Sequence, residues 1–262
     1  KIFMTKWLLY YQYVPVAYPE EVCRWQRAVC EANELLGRIR VSPEGINGTL
    51  SGTKEAVDKY IDAFNARPEL EPARIHWKVS GCVDHKDVHF DQQGFGKLSV
   101  QVTREVVSLD LSAEERDAML AAGPGAHLSP ADFHAEIATW ELQQQQQLLQ
   151  QHGDDDDARR PLVLVDVRNA YETEIGRFQV QVQTRGGGEE GKGKGTKGTG
   201  GGAVLASLSV LDPKTRSFAD FKRFVESNKQ QLTDSRVLMY CTGGVRCERA
   251  SALLRLHGVQ DV

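Results

Sequence analysis

Tyr240-Cys241-Thr242-Gly243-Gly244-Val245-Arg246-Cys247-Glu248 sits between an apolar strand-like run, Val237 to Tyr240, and a stretch that turns helical near Cys247. A cysteine at a strand end, a glycine-rich turn, an arginine and a helix start together favour a thiolate. The thiolate is the nucleophilic form, and a cation or a helix N-terminus lowers a cysteine pKa from about 8.5 to roughly 3.5–7.5. The glycines let successive backbone N–H groups turn inward as an anion nest. The helix contributes about half a positive charge, and Arg246 a whole one. Cys241 is therefore read as a nucleophile, and Thr242, Gly243, Gly244, Val245 and Arg246 as its loop. The competing reading, a buried structural cysteine on a glycine-rich turn, is the weaker one with this loop around it.

Outward from the loop, Leu162-Val163-Leu164-Val165-Asp166-Val167-Arg168 is a continuous apolar run, as expected of a central parallel strand. Tyr171 to Phe178 reads as a short helical or loop segment. Residues 179–202 are rich in Gly, Lys and Thr without periodicity, which suggests a flexible insertion. Ser217-Phe218-Ala219-Asp220 caps a helix to about Leu232, and a further helix over 247–257 closes at Gly258. Val259 to Val262 reads as the start of a last strand. Strand, helix, strand, helix, strand describes a doubly wound α/β domain, in which ligands sit at the carboxyl ends of the strands. Cys241 lies at such an end. Asp166 and Arg168, at the neighbouring strand end, are read as supports for the loop or as a structural ion pair.

The amino half alternates differently. Lys6 to Val16 reads as a strand, and Pro19 opens a helix to about Leu36 that Gly37 ends. Arg38 to Val41 and Gly48 to Ser51 are strand-like, Thr53 caps a second helix, and Arg74 to Val79 and Leu98 to Leu109 suggest two more strands. The order β-α-β-α-β-β predicts a two-layer sandwich of ferredoxin or acylphosphatase type over residues 1–110. Residues 111–160 read as a connector. Its capped helix starts at Ser129-Pro130-Ala131-Asp132 and decays through the glutamines 143–147 to the acids Asp154 to Asp157. Residues 161–262 form the second domain.

Composition narrows the possibilities. Net charge −4 carries no overall nucleic-acid signal, although a local basic face on an acidic protein can still bind phosphates. Arg38, Arg40, Lys54 and Lys78 are candidates for one, against the plainer reading of scattered solvated charges. No run of about 18 apolar residues crosses a membrane. Five cysteines, an odd count, argue against a disulfide framework and for a reducing compartment, cytoplasmic or organellar. Cys241 and Cys247 lack zinc-ribbon spacing; neither a metal nor any other cofactor is evident. A chain beginning at Lys1 and stopping at the Val259–Val262 run is expected to be a fragment.

Counted from Cys241 to Arg246, the loop resembles the active-site loop of the rhodanese (sulfurtransferase) family. Related phosphatases of that fold have a loop one residue longer. The amino half adds Tyr11-Gln12-Tyr13-Val14-Pro15-Val16 and Gly37-Arg38-Ile39-Arg40-Val41-Ser42-Pro43-Glu44-Gly45-Ile46-Asn47-Gly48-Thr49. Joined to Cys-Thr-Gly-Gly-Val-Arg-Cys-Glu, these runs resemble the rhodanese-domain tRNA uridine hydroxylases and their eukaryotic relatives. The resemblance implies an acylphosphatase-like α+β domain followed by a rhodanese-like α/β domain. It also implies oxygen-dependent formation of 5-hydroxyuridine at the wobble position, Cys241 as the essential thiol, and tRNA as partner. The Gly-rich insertion departs from the family's compact second domain. A sulfurtransferase carrying sulfane sulfur from a small donor as a Cys241 persulfide is the alternative. Cys247 either resolves an oxidised Cys241 as a disulfide or is a small apolar residue at a helix start. Oligomeric state has no signature in the sequence.

Overall fold

The computed structural model describes residues 5–80, 95–149, 160–178 and 208–262. Cys82, the run Asp154 to Asp157 and the 179–202 insertion lie outside them. The chain divides into two compact units, Lys1–Leu109 and Asp110–Val262.

The first unit runs β1 (Thr5–Tyr13), α1 (Pro19–Ala32), β2 (Leu36–Ser42), β3 (Gly45–Thr53), α2 (Lys54–Asn65), β4 (Lys78–Val79) and β5 (Leu98–Val102). Its sheet has the order β4-β1-β3-β2-β5, antiparallel except where β5 joins β2 in parallel. Strand β1 alternates, burying Leu8, Tyr10 and Gln12. Both helices meet that face: α1 buries Val22, Gln26 and Cys30, and α2 buries Val57, Tyr60 and Phe64, each a stripe at helical spacing. Thr53 caps α2 as expected, accepting from the Ala56 amide at 3.1 Å. Between the layers the Tyr10 and Tyr60 hydroxyls donate to Gln26 Oε1 at 2.9 and 2.6 Å. This pairing lets three polar groups sit in an apolar core.

Several boundaries differ from the sequence reading. The first helix stops at Ala32, because Glu34 turns left-handed at φ 52° and releases the chain into β2. Leu36 and Gly37 therefore belong to a strand. Gly37 is a glycine because a Cβ there would lie 2.2 Å from the Thr49 carbonyl oxygen on β3. The stretch from Arg38 to Ser51 forms two strands joined by a tight hairpin, so the order is βαββαββ. Of Arg74 to Val79, only Lys78–Val79 pairs; prolines 68 and 72 open single 3-10 turns before it. Strand β5 ends at Val102, after which the carboxylates of Glu44 and Glu105 accept the amides of Val106 and Leu109 and draw the chain out of the sheet.

The second unit holds α3 (Ala113–Ala122), α4 (Pro130–Leu149), β6 (Leu162–Asp166), α5 (Ala170–Ile175), β7 (Leu208–Leu211), α6 (Phe221–Ser227), α7 (Lys229–Thr233), β8 (Arg236–Tyr240) and α8 (Val245–Leu256). Its described strands are parallel in the order β7-β6-β8. Central β6 is buried along its length, as a parallel strand covered on both faces must be. Leu162, Leu164 and Leu238 meet Trp140, Phe133 and Ile137 of α4 on one face. Val163, Val165 and Val237 are buried on the other, where α8 packs on β8.

The stretch expected as a connector is thus two helices of this unit. Helix α3 packs on α8. Helix α4 continues through the glutamines to Leu149, with Gln144 buried. Strand β7 was not foreseen. The helix expected over 217–232 is broken at Asn228 into α6 and α7. Val259 to Val262 forms no strand, although the Asp261 carbonyl accepts the Val237 amide at 2.9 Å.

Candidate active site

Cys241 leaves the carboxyl end of β8, and four residues later the chain enters α8. Gly244 makes this reversal in the left-handed region at φ 92° and is the N-cap of the helix. Helix α8 begins at Val245, two residues earlier than the sequence suggested, so Arg246 and Cys247 both lie in its first turn. That placement turns the amides at the start of the helix toward the sulfur. The Gly244 amide donates to Cys241 Sγ at 3.0 Å. The result is a pKa lowered from 9.0 to about 5. Its largest cause is the thiol of Cys247, which donates to Cys241. Burial opposes the shift, and the amides of Cys247, Gly243 and Gly244 reinforce it. The Cys247 thiol is held well above its ordinary range by that same bond, by its burial and by the charge on Cys241. One cysteine is the anion and the other its proton donor.

Arg246 was expected to place a whole positive charge on the sulfur. Its guanidinium does bear on Cys241, to which it donates, and it also forms a two-pronged pair with Glu172, Nη1 to Oε2 at 2.6 Å and Nη2 to Oε1 at 2.8 Å. Glu172 also accepts the Thr242 hydroxyl at 2.9 Å, and Arg246 Nη2 donates to the Thr242 oxygen at 3.1 Å. The Glu172 carboxyl is held at about 2, foremost by Arg246 and against its burial. Sequence reasoning assigned Glu172 no role. The available signal was the spacing Asn169-x-x-Glu172, a capping-box pattern of which the structure makes the half in which Glu172 accepts the Asn169 amide at 3.1 Å at the start of α5. This places the carboxylate where an adjacent arginine needs a partner.

Asp166 and Arg168 form an ion pair with each other at 2.7 Å. The Asp166 carboxylate is buried and takes Arg168 Nε at 2.9 Å and Nη2 at 2.7 Å. Arg168 Nη2 also donates to the Gly176 carbonyl at 2.6 Å, and its guanidinium lies 5.5 Å from the Tyr240 ring centroid. The Val167 amide donates to the Tyr240 carbonyl at 3.0 Å. The pair ties the ends of β6 and β8 together beside the loop. Phe178 packs edge-on against Tyr240, with centroids 4.3 Å apart. Among the described residues, no cluster of three or more His, Cys, Asp or Glu could hold a metal ion, and no helix is long and apolar enough to cross a membrane.

Of the four basic residues singled out in the amino unit, Arg38 and Arg40 share the sheet face opposite the helices, since Ile39 and Val41 between them are core. Lys78, paired with Leu9 in register, lies on that same face, 6.0 Å from the Tyr11 ring centroid. Lys54 does not join them; it begins α2 and forms an ion pair with Asp58 at 2.5 Å.

Residues 5–106 match the family described as UPF0176 acylphosphatase like domain. Along 97% of its length the chain is 32% identical to a tRNA uridine(34) hydroxylase of Bacillus pumilus. It is 33% identical over the same share to a protein of that name from Listeria welshimeri. Over 96% of its length it is 30% identical to rhodanese-like domain-containing protein 6 of Arabidopsis thaliana. It spans 60% of the length of each bacterial protein and 36% of the plant one. The resemblance to the rhodanese-domain tRNA uridine hydroxylases therefore runs through both units, with an acylphosphatase-like unit preceding the rhodanese-like arrangement.

Proposed function

We propose that the protein hydroxylates the wobble uridine of tRNA at C5, with Cys241 as the catalytic thiol. The observation that carries this reading is the thiolate itself. A cysteine with a pKa of about 5 is a nucleophile throughout the physiological range, and the chain that carries it is 32% identical along 97% of its length to a tRNA uridine(34) hydroxylase. Attack of Sγ on C6 of the uracil ring breaks its 5,6 double bond and loads electron density on C5, which takes one atom of molecular oxygen while the other leaves as water, two electrons and two protons coming from an external reductant. Loss of the C5 proton and departure of the thiolate from C6 restore the ring. A thiolate of low pKa serves both steps, since it is present at neutral pH and leaves readily. The amides of Gly243, Gly244 and Cys247 and the Cys247 thiol hold the sulfur when it is free.

The amino unit suits the RNA. Among the described residues, none of its strands contains Asp or Glu. Its open face presents Arg38, Arg40 and Lys78 to phosphates and Tyr11 and Tyr13 to bases, the combination by which proteins hold single strands.

The test is mass spectrometry of tRNA nucleosides from cells lacking their own wobble-uridine hydroxylation, supplied with the full-length protein or its Cys241→Ser form. The reading expects 5-hydroxyuridine to return only with the intact cysteine. Failure of the folded, expressed wild-type protein to restore it would end the hydroxylase reading.

A further inference from the structure

The side chain of Cys247 is aimed at the loop. It lies in the first turn of α8, and its thiol donates to the sulfur of Cys241 at the end of β8. Gly243 and Gly244 form the turn that brings the two together, and both cysteines stay partly exposed. Cys23 and Cys30, by contrast, are buried in the core of the first unit. Two sulfurs in hydrogen-bonding contact need only close to about 2.05 Å to become a disulfide. The charges around them set the order of events. Cys247 keeps its proton because Cys241 accepts it and carries the negative charge. Oxidation of Cys241 removes that acceptor and that charge, while Arg246 still acts to lower the Cys247 pKa and the helix terminus favours an anion. The second sulfur thus becomes a nucleophile only after the first has reacted.

We propose that Cys241 and Cys247 are a redox couple that reacts with small hydroperoxides and closes reversibly into a disulfide, with Cys247 as the resolving residue. The Cys241 thiolate attacks the terminal oxygen of the hydroperoxide. An S–O bond forms, the O–O bond breaks, and the alcohol or water leaves after taking a proton from solvent. The sulfur has given up two electrons and is a sulfenic acid. The Cys247 sulfur then attacks it: the S–S bond forms, the S–O bond breaks, and hydroxide leaves with the Cys247 proton as water. A dithiol reduces the bond by exchange and is itself oxidised to a disulfide. Closure takes the nucleophile out of use but preserves it, because a sulfenic acid left without a partner goes on to sulfinic acid, which thiols do not reverse. The proposal goes beyond the hydroxylase reading and does not depend on it, since its readout needs no tRNA.

The experiment exposes the reduced full-length protein, freed of added thiol, to excess hydrogen peroxide at neutral pH. Remaining thiols are blocked and the protein is digested with trypsin without reduction. Trypsin cleaves after Arg246 and leaves the two cysteines on separate peptides, so a joined pair reports the bond. That joined pair should appear as iodoacetamide labelling of Cys241 is lost, and dithiothreitol should restore the labelling almost fully. Cys247→Ser keeps a hydroxyl donor on the thiolate, so its Cys241 should still be oxidised. It should end as sulfinic acid, with labelling lost for good. A merely structural Cys247 would give wild type and variant the same products. Sulfinic acid at Cys241 of the wild-type protein overturns the proposal, as does a disulfide from Cys241 to any other cysteine or a thiol that peroxide leaves untouched. If the variant does not fold, the wild-type digest alone decides among these results.

Discussion

Cys241 and Cys247 share one proton, and this sharing is the main source of the low pKa. Replacing the donor separates its contribution from that of the backbone. Cys247→Ala should raise the Cys241 pKa markedly, because the largest of its supports is removed. Cys247→Ser should leave it low, because a hydroxyl donates at least as well as a thiol. The pH profile of iodoacetamide alkylation distinguishes the two. The same shift has a sign in stability. A pKa depressed from 9.0 to about 5 on folding means that the unfolded chain binds the proton more tightly. The contribution is fully present above about pH 9 and falls away as pH drops to about 5. Urea midpoints of wild type and Cys241→Ser should therefore converge as pH is lowered across that window and diverge as it is raised. The loop's identity was legible from its glycines and spacing. The pairing of Arg246 with Glu172 was not, because that partner lies 74 residues away in sequence and no local pattern links them.

Helix α4 shows what local composition conceals. The glutamines 143–147 read as solvated sequence, yet α4 continues past them because Phe133, Ile137 and Trp140 fix its face against β6 and β8. The Trp140 indole N–H donates to the Arg160 carbonyl at 3.1 Å. Trp140→Ala should cost about 3–5 kcal/mol, as aromatic deletions from cores do, measurable as a fall in the urea midpoint of the full-length protein. In the amino unit, periodicity gave the buried stripe of α2, while α1 buries Cys23, Gln26 and Cys30 beside Val22, with Trp25 and Val29 only partly covered, and the end of α1 was misplaced. Leu36 happens to continue the helical spacing, and the left-handed turn at Glu34 that ends the helix leaves no composition signal. Strand β7 is four residues long and only partly buried, too short to stand out by pattern alone.

At the scale of the whole molecule, the proposed activity assigns the thiolate to one unit and RNA binding to a sheet of the other. The basic residues of that sheet are separable from Lys54, which the fold places among the helices. Arg38→Ala and Arg40→Ala should weaken tRNA binding and each reduce the slope of log affinity against log salt by up to about 1, while Lys54→Ala changes neither. The account as a whole depends on Cys241 being ionised at neutral pH. Thiolate absorbance near 240 nm, recorded on the full-length protein and on Cys241→Ser, measures that directly. Among the described cysteines only Cys241 is pushed down; Cys23 and Cys247 are raised and Cys30 is raised to about 12. The wild-type-minus-variant difference should titrate with a midpoint near pH 5. A midpoint at pH 8 to 9, the ordinary cysteine range, would contradict the account.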